Sequence, residues 1–298
     1  MARRSTTVAR KATPADVSVR PRNLRFDVRP EVKAARRGYW MGDAVSTAVF
    51  NALSLTFPDG EKMFIDAVKH FRPQVEAAGN AKLLEEIQGF IAQEGIHARE
   101  HNALNRLIDE ERYPVAEIEE MTRQRIGLAR ERGPFAMLMS TIALEHFTAM
   151  MADAHMAHPE LFAATPPEIE RLWRWHAIEE TEHKAVAFDV FHEVTRHWTK
   201  FQSWRRRSLG MMIVTWNFTR NSAKYAAMLL EADGYSPKHA RQAVRDYLWG
   251  TPGLFRLGWR SYFAWYRPGF HPWDIDNRAG LAAWKAEFEP TVAAKAAA

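Results

Sequence analysis

Apolar residues recur at spacings of three and four along most of the chain after Trp40, and strand-like alternation is nearly missing. Such spacing places apolar side chains on one face of an α-helix, which buries that face against a core. Residues 1–37, in contrast, are polar, basic and interrupted by prolines. The pattern predicts an all-α protein in which residues 1–37 form a disordered basic arm and residues 38–298 form a single helical domain.

Capping residues and prolines mark the ends of the predicted helices. Asp59 is expected to cap the first helix, which ends before Pro73, and Pro167 suits the first turn of the fifth. The five predicted helices cover about 59–71, 80–110, 113–134, 135–157 and 167–198. Together they predict a bundle core over about 57–198, followed by a C-terminal helical extension over about 203–298.

Carboxylates and imidazoles interrupt the apolar stripes of these helices at positions where core residues belong. An ionised carboxylate in a core costs several kcal/mol unless it is protonated, paired or bound to a cation. The polar positions on the stripes therefore predict a metal site. The candidate ligands are Glu61, Glu94, His97, Glu145, His176, Glu180 and His183.

Two of the helices carry a Glu-x-x-His pair, Glu94–His97 and Glu180–His183. Residues at i and i+3 reach the same point beside a helix. One Glu from each of two helices, with Glu-x-x-His from each of two others, is the ligand set of dinuclear iron or manganese bundles. The order of these groups along the chain predicts a ferritin-like four-helix bundle, in which two divalent cations offset four buried carboxylates.

Some assignments remain open at this stage. Glu179 shares a helix face with the candidate ligands, although symmetry with the other Glu-x-x-His pair favours Glu180. His101 lies one turn beyond the second-helix pair, where it is a further metal ligand, a proton shuttle or a core histidine with a hydrogen-bond partner. Glu182 and His146 are predicted to face outward.

Composition limits the other possibilities. The chain has no cysteine, which excludes disulfides and thiolate ligands. Its net charge of +5 is modest, and the basic arm is interpreted as a solvated tail, so no nucleic-acid partner is expected. The uncharged stretch 208–219 is too short to span a membrane, and no secretory leader is recognised, which predicts a cytoplasmic protein.

Segment 204–216 mixes arginines with apolar residues. Packing of additional helices is the favoured interpretation of this pattern, and contact with a membrane surface is the less favoured alternative. We also expect the chain to form a homodimer.

Four stretches, "LSLTFPDGEKMF", "FIAQEGIHAREH", "ALEHFTA" and "WHAIEETEHKAVAFDVF", resemble a bacterial family catalogued as predicted metal-dependent hydrolases. The resemblance covers roughly residues 40–270 and implies hydrolysis. The pattern His176-x-x-x-Glu180-x-x-His183 is also similar to that of di-iron arylamine N-oxygenases, whose last motif helix carries a histidine ligand one turn before its Glu-x-x-His. That second resemblance implies a metal-ligand role for His176.

The favoured function is a dinuclear non-haem iron enzyme, or a mixed iron–manganese one, that activates O2. Such an oxidase or oxygenase requires a small organic substrate and an electron donor. The alternative is a hydrolase in which two zinc ions activate a bridging water. Metal storage is disfavoured, because a single site in a 34.3 kDa chain stores little metal.

Overall fold

A computed structural model describes residues 11–251 and 253–296, with side chains described up to residue 289. Over this part of the chain the backbone forms helices and turns without any β-strand, which confirms the all-α prediction. The α-helices are α1 (Arg29–Ala34), α2 (Ala44–Ala77), α3 (Ala81–Asn105), α4 (Val115–Glu131), α5 (Pro134–Ala157), α6 (Pro167–His183), α7 (Val186–Val194), α8 (Lys200–Ala232), α9 (Pro237–Trp249), α10 (Leu254–Leu257), α11 (Trp259–Ala264) and α12 (Arg278–Ala296).

Four helices, α2, α3, α5 and α6, surround the buried polar residues. Helix α2 packs against α3, and α5 packs against α6. Helix α4 connects these two pairs and lies against α2 and α5. The C-terminal extension covers the outside, since α8 packs on α2 and α5, and α12 packs on α5 and α6. The four bundle helices therefore present their inner faces to one another, as the sequence pattern predicts.

Helix α2 begins well before the predicted start near Asp59. Asp43 caps it, since its side chain accepts hydrogen bonds from two backbone N–H groups of the first turn. Pro58 lies inside the helix and has no N–H to donate to the carbonyl of Ser54. Asn105 of α3 donates from Nδ2 to that carbonyl at 2.9 Å. A neighbouring helix thus supplies the donor that Pro58 lacks. Helix α2 also continues through Pro73 to Ala77, so the predicted end before Pro73 is wrong.

The fifth predicted helix is interrupted after His183, where α6 ends, and α7 follows the break. Lys184 lies in the break and donates from Nζ to the backbone carbonyl of Ile275 at 2.8 Å and to Oδ1 of Asn277 at 2.9 Å. These bonds tie the C-terminal segment to the end of α6. The prediction of one continuous helix to about Trp198 is wrong.

Residues 11–37 lie against the bundle, so the prediction of a disordered arm is wrong for them, and residues 1–10 lie outside the described residues. Arg22 donates to the carboxylate of Glu182 at 2.8 Å and to that of Glu179 at 3.3 Å. Apolar side chains spaced along the segment are also buried. They are Val17, Val19, Phe26 and Val28. Because the segment is rich in basic residues, the burial of these apolar residues was not recognised from the sequence.

Helix α5 is long and apolar enough to cross a membrane, by length and composition alone. Its most apolar 18-residue window is 56% buried, and the helix contacts α2, α6 and α8. Such packing is expected of a core helix. Length and composition alone are weak evidence for a membrane span.

One side of α8 remains exposed. Its exposed large apolar side chains include Leu209, Met212, Ile213 and Trp216. Packing of additional helices therefore accounts for only part of the apolar residues in segment 204–216. Membrane-surface contact, the homodimer and a cytoplasmic location stay predictions.

Candidate metal centre

The structure brings the seven candidate ligands into two adjoining groups. In each group, one ligand atom from every residue lies within 4.8 Å of the others. The first group is formed by Glu61, His97 and His176, and the second by Glu94, Glu145, Glu180 and His183. All seven side chains are buried. Each group has the size and donor types to hold one cation.

Two carboxylates lie between the groups. Glu180 has Oε1 at 2.9 Å from Nε2 of His176 and 3.5 Å from Nδ1 of His97, while its Oε2 is 3.4 Å from Nε2 of His183. Glu94 has Oε1 at 3.1 Å from Nε2 of His183 and Oε2 at 4.0 Å from Nδ1 of His97. Both carboxylates can therefore donate one oxygen to each of two cations.

Most of the inward-facing ligand atoms have no hydrogen-bond partner among the described residues. Buried polar atoms are almost always hydrogen-bonded, and a group of exceptions at one point indicates an absent ion or ligand. The unpartnered atoms are both carboxylate oxygens of Glu61, Glu94 and Glu145, Oε2 of Glu180, Nδ1 of His97 and Nε2 of His183. The residues present fit a pair of cations.

A specific partner holds the outward nitrogen of each imidazole. His97 donates from Nε2 to Oε2 of Glu179 at 3.1 Å, and His183 donates from Nδ1 to Oε1 of Gln93 at 3.1 Å. Nδ1 of His176 lies 2.7 Å from Nε2 of His101. Such outer partners fix the tautomer and orientation of metal-ligating histidines.

The hydrogen bonds behind His176 run in one direction. Because the Nδ2 group of Asn105 donates to a backbone carbonyl, its Oδ1 faces the hydroxyl of Ser54, which donates to it at 2.6 Å. That hydroxyl accepts from Nδ1 of His101 at 2.9 Å. Nε2 of His101 then accepts from Nδ1 of His176, so Nε2 of His176 is the nitrogen that faces the cluster, 2.9 Å from Oε1 of Glu180.

Burial and neighbouring charges separate the pKa values of the cluster. Burial raises the pKa of Glu61 and Glu145 well above the ordinary value. Burial also acts to raise the pKa of Glu180, but neighbouring imidazoles outweigh it and hold that pKa well below the usual range. Burial lowers the pKa of His176 to about 4, whereas the nearby carboxylates of Glu179 and Glu180 outweigh burial and raise the pKa of His97 to about 10. Cations that bind here would displace protons.

Two residues predicted to face outward are buried, and that prediction is wrong. Glu182 accepts from Arg22 and from Lys285, each at 2.8 Å. Nε2 of His146 lies 3.0 Å from the backbone carbonyl of Ser261. The N-terminal segment and the C-terminal extension cover these helix faces, which a pattern within one helix does not reveal.

The structure also separates the alternatives for Glu179 and His101. The carboxylate of Glu179 lies behind His97, whereas Glu180 belongs to the second group. His101 lies behind His176. Gln93 and Arg22 were not identified from the sequence. Gln93 precedes Glu94 in the chain but lies outside the apolar stripe, and Arg22 lies in the segment that was predicted to be disordered.

Replacement of Glu179 by glutamine is expected to weaken metal binding about ten- to a hundredfold, the effect typical of changing an outer partner of a ligand histidine. One oxygen of Glu179 accepts from Arg22 and the other from His97. An amide has only one accepting oxygen, so its NH2 group must face a donor. Competition with a metal-binding dye measures the change.

Glu170→Gln serves as the control, because Glu170 lies on the same helix and pairs with Arg174 at 2.8 Å. It should bind metal as wild type does. Unchanged affinity in the Glu179 variant would contradict an orienting role for this carboxylate.

A cavity of about 250 Å³ reaches the cluster from the α4 and α8 side. Glu61, His176 and Glu180 form part of its wall. Most of the remaining wall is apolar, including Phe57, Phe64, Ile126, Leu144, Val214 and Phe218. A small organic molecule in this cavity would contact both the cluster and an apolar surface.

Neither the curated proteins nor the solved structures that were compared with this chain include a match. A family model described as predicted metal-dependent hydrolase matches residues 20–276, a range that contains all four bundle helices and every residue of both groups. The chain belongs to this family of predicted metal-dependent hydrolases.

Proposed function

We propose that this protein is a dinuclear metal-dependent hydrolase that acts on small-molecule substrates. The observation that carries the proposal is the convergence of unpartnered carboxylate and imidazole atoms in two adjoining buried groups. Membership of the hydrolase family supports the reaction type. The cavity beside the cluster supports a small substrate, since its volume is slightly below the range usual for pockets that bind drug-sized ligands.

Glu61, His97 and His176 would hold one cation, and Glu94, Glu145, Glu180 and His183 would hold the other. The donors are nitrogen and oxygen atoms only, which suits zinc, manganese or iron. Bound divalent cations would lower the pKa of a water molecule and polarise a carbonyl group.

The chain itself orients the ligands and shields the reaction. Glu179, Gln93 and His101 hold the three imidazoles in the tautomers that direct a lone pair inward. The apolar cavity wall limits the access of bulk water to the substrate. In hydrolysis of an ester or amide, the water oxygen bonds to the acyl carbon, the bond to the leaving oxygen or nitrogen breaks, and the leaving group takes a proton.

An O2-activating oxidase or oxygenase is the second candidate. The observation in its favour is the donor set of four Glu and three His from four packed helices, two of which carry a Glu-x-x-His pair. That set is typical of di-iron and di-manganese carboxylate bundles. This function requires iron, or iron with manganese, and an electron donor.

Reconstitution with single metals separates the two candidates. The purified protein is loaded with zinc, manganese or iron, and metal content, hydrolysis of a panel of chromogenic esters and anilides, and O2 consumption with a reductant are measured. We expect about two cations per chain and hydrolysis that a chelator abolishes. O2 consumption by the iron form alone, without hydrolysis by any form, would favour the second candidate.

A further inference from the structure

The cavity beside the cluster differs chemically between its two ends. Its inner end is formed by Glu61, His176 and Glu180, which belong to the proposed metal centre. Toward the surface, its wall includes Arg125 and Arg132, both exposed residues of the α4 region. The space between is mostly apolar. A ligand that matches it has a polar reacting group, an apolar body and an anionic group at the far end.

Arg125 and Arg132 are distinguished from their neighbours by the lack of an acidic partner. Arg123 pairs with Glu120 at 3.2 Å, and Arg130 pairs with Asp66 at 2.8 Å. No carboxylate forms an ion pair with Arg125 or Arg132 among the residues that the structure describes. The two lie seven positions apart, about two helical turns, and so face the same side. That side of the helix faces the cavity.

Gly60 keeps the part of the cavity beside the cluster open. It lies inside α2, where glycine is less favourable than alanine, and it lines the cavity. A Cβ added at this position would meet nothing within 4 Å, so packing does not require the glycine. A side chain here would instead project into the cavity. The glycine leaves space immediately beside Glu61.

We propose that the substrate is an amphipathic organic acid whose carboxylate binds at Arg125 and Arg132 and whose apolar body extends inward toward Glu61. The inference rests on the proposed function in taking the inner end as the reacting end. Guanidinium groups are suited to carboxylates because they offer several N–H donors in a planar fork. The apolar walls contact the hydrocarbon part of the substrate.

The test compares two probes of matched length, sodium octanoate and 1-octanol, by calorimetric titration into the metal-loaded protein. Octanoate is expected to bind at least about tenfold more tightly than octanol, since the guanidiniums recognise only the anion. The double variant Arg125→Gln/Arg132→Gln should lose most of that preference while its octanol affinity is unchanged.

Two sets of variants make the result specific. Arg123→Gln/Arg130→Gln removes the same charge from the same helix, and it should keep the octanoate preference because both residues already have acidic partners. Gly60→Leu should weaken binding of both probes at least about tenfold by filling the cavity, whereas Gly60→Ala should have a smaller effect. Folding of each variant is checked by circular dichroism and melting temperature.

The proposal is wrong if wild type binds the two probes equally, if neither probe binds, or if the Arg125/Arg132 variant keeps its octanoate preference. The proposed function has a separate readout in metal content and ester hydrolysis. A protein that binds octanoate through these arginines but hydrolyses nothing would keep the substrate class and reject the hydrolase. A protein that hydrolyses esters but binds octanoate no more tightly than octanol would keep the hydrolase and reject the substrate class.

Discussion

Replacement of Glu180 by glutamine is expected to remove most of the metal from both groups and to lower turnover at least about a hundredfold, which is the upper end of effects from outer-partner changes. Glu180 is the carboxylate that comes closest to both groups, with one oxygen 2.9 Å from His176 and the other 3.4 Å from His183. The amide leaves only one neutral oxygen for two cations.

Metal content and the melting temperature measure this effect together. Cations at a thousand times their dissociation constant stabilise a folded protein by about 4 kcal/mol per site. The Glu180 variant should therefore melt at nearly the same temperature with and without metal, whereas wild type should be strongly stabilised. Wild-type metal content in this variant would contradict the placement of Glu180 between the two groups. Glu179→Gln should lower metal binding less than the Glu180 substitution does.

Glu145→Gln is expected to stabilise the metal-free protein and to reduce the additional stability that metal binding provides. Burial raises the pKa of Glu145 well above its ordinary value of 4.5. A raised pKa in the folded state gives stability that is complete below pH 4.5 and is lost as the pH rises toward the folded-state value. Without metal at pH 7, glutamine should therefore stabilise the protein by about 1–3 kcal/mol, and the gain should grow between pH 5 and pH 7.

With metal the same substitution removes a ligand from the second group. A tenfold weaker affinity lowers the stabilisation by about 1.4 kcal/mol at saturating metal. Urea unfolding at pH 5, 6 and 7, with and without metal, measures both the gain without metal and the smaller stabilisation by metal. The difference between the two curves reports Glu145 together with the neighbouring carboxylates and imidazoles that its charge influences.

Glu182→Gln is the matched control, because Glu182 is also buried but is paired with Arg22 and Lys285. Removal of one partner from a buried ion pair costs about 3 kcal/mol or more, so this variant should be less stable both with and without metal. If Glu145→Gln also destabilises the metal-free protein and keeps its metal content, Glu145 is an ordinary paired carboxylate.

The cluster was accessible to sequence reasoning because helical periodicity is local. Glu94 and His97 fall on one helix face whatever surrounds that helix, and their position within an apolar stripe indicates burial. The same argument applies to Glu145, which lies in the apolar fourth helix. A buried carboxylate requires a partner, so the stripes, together with the Glu-x-x-His spacing and its order along the chain, predicted that these groups meet.

The second layer was not accessible, because it depends on contacts between distant segments. Arg22 reaches Glu179 across 157 positions, and His183 meets Gln93 across 90. The start of α2 was misplaced for the same reason, since Asn105 on another helix donates to the carbonyl that Pro58 leaves free. Periodicity within one helix contains no information about such partners.

The central claim is that two cations bind side by side between these four helices. Crystals of the protein loaded with zinc or manganese, with diffraction measured on both sides of the absorption edge of the metal, test it most directly. We expect two anomalous peaks in each chain, one contacted by Glu61, His97 and His176, the other by Glu145 and His183, with Glu94 and Glu180 between them. A chain without anomalous density there, or with a single cation held by other residues, would contradict the dinuclear centre.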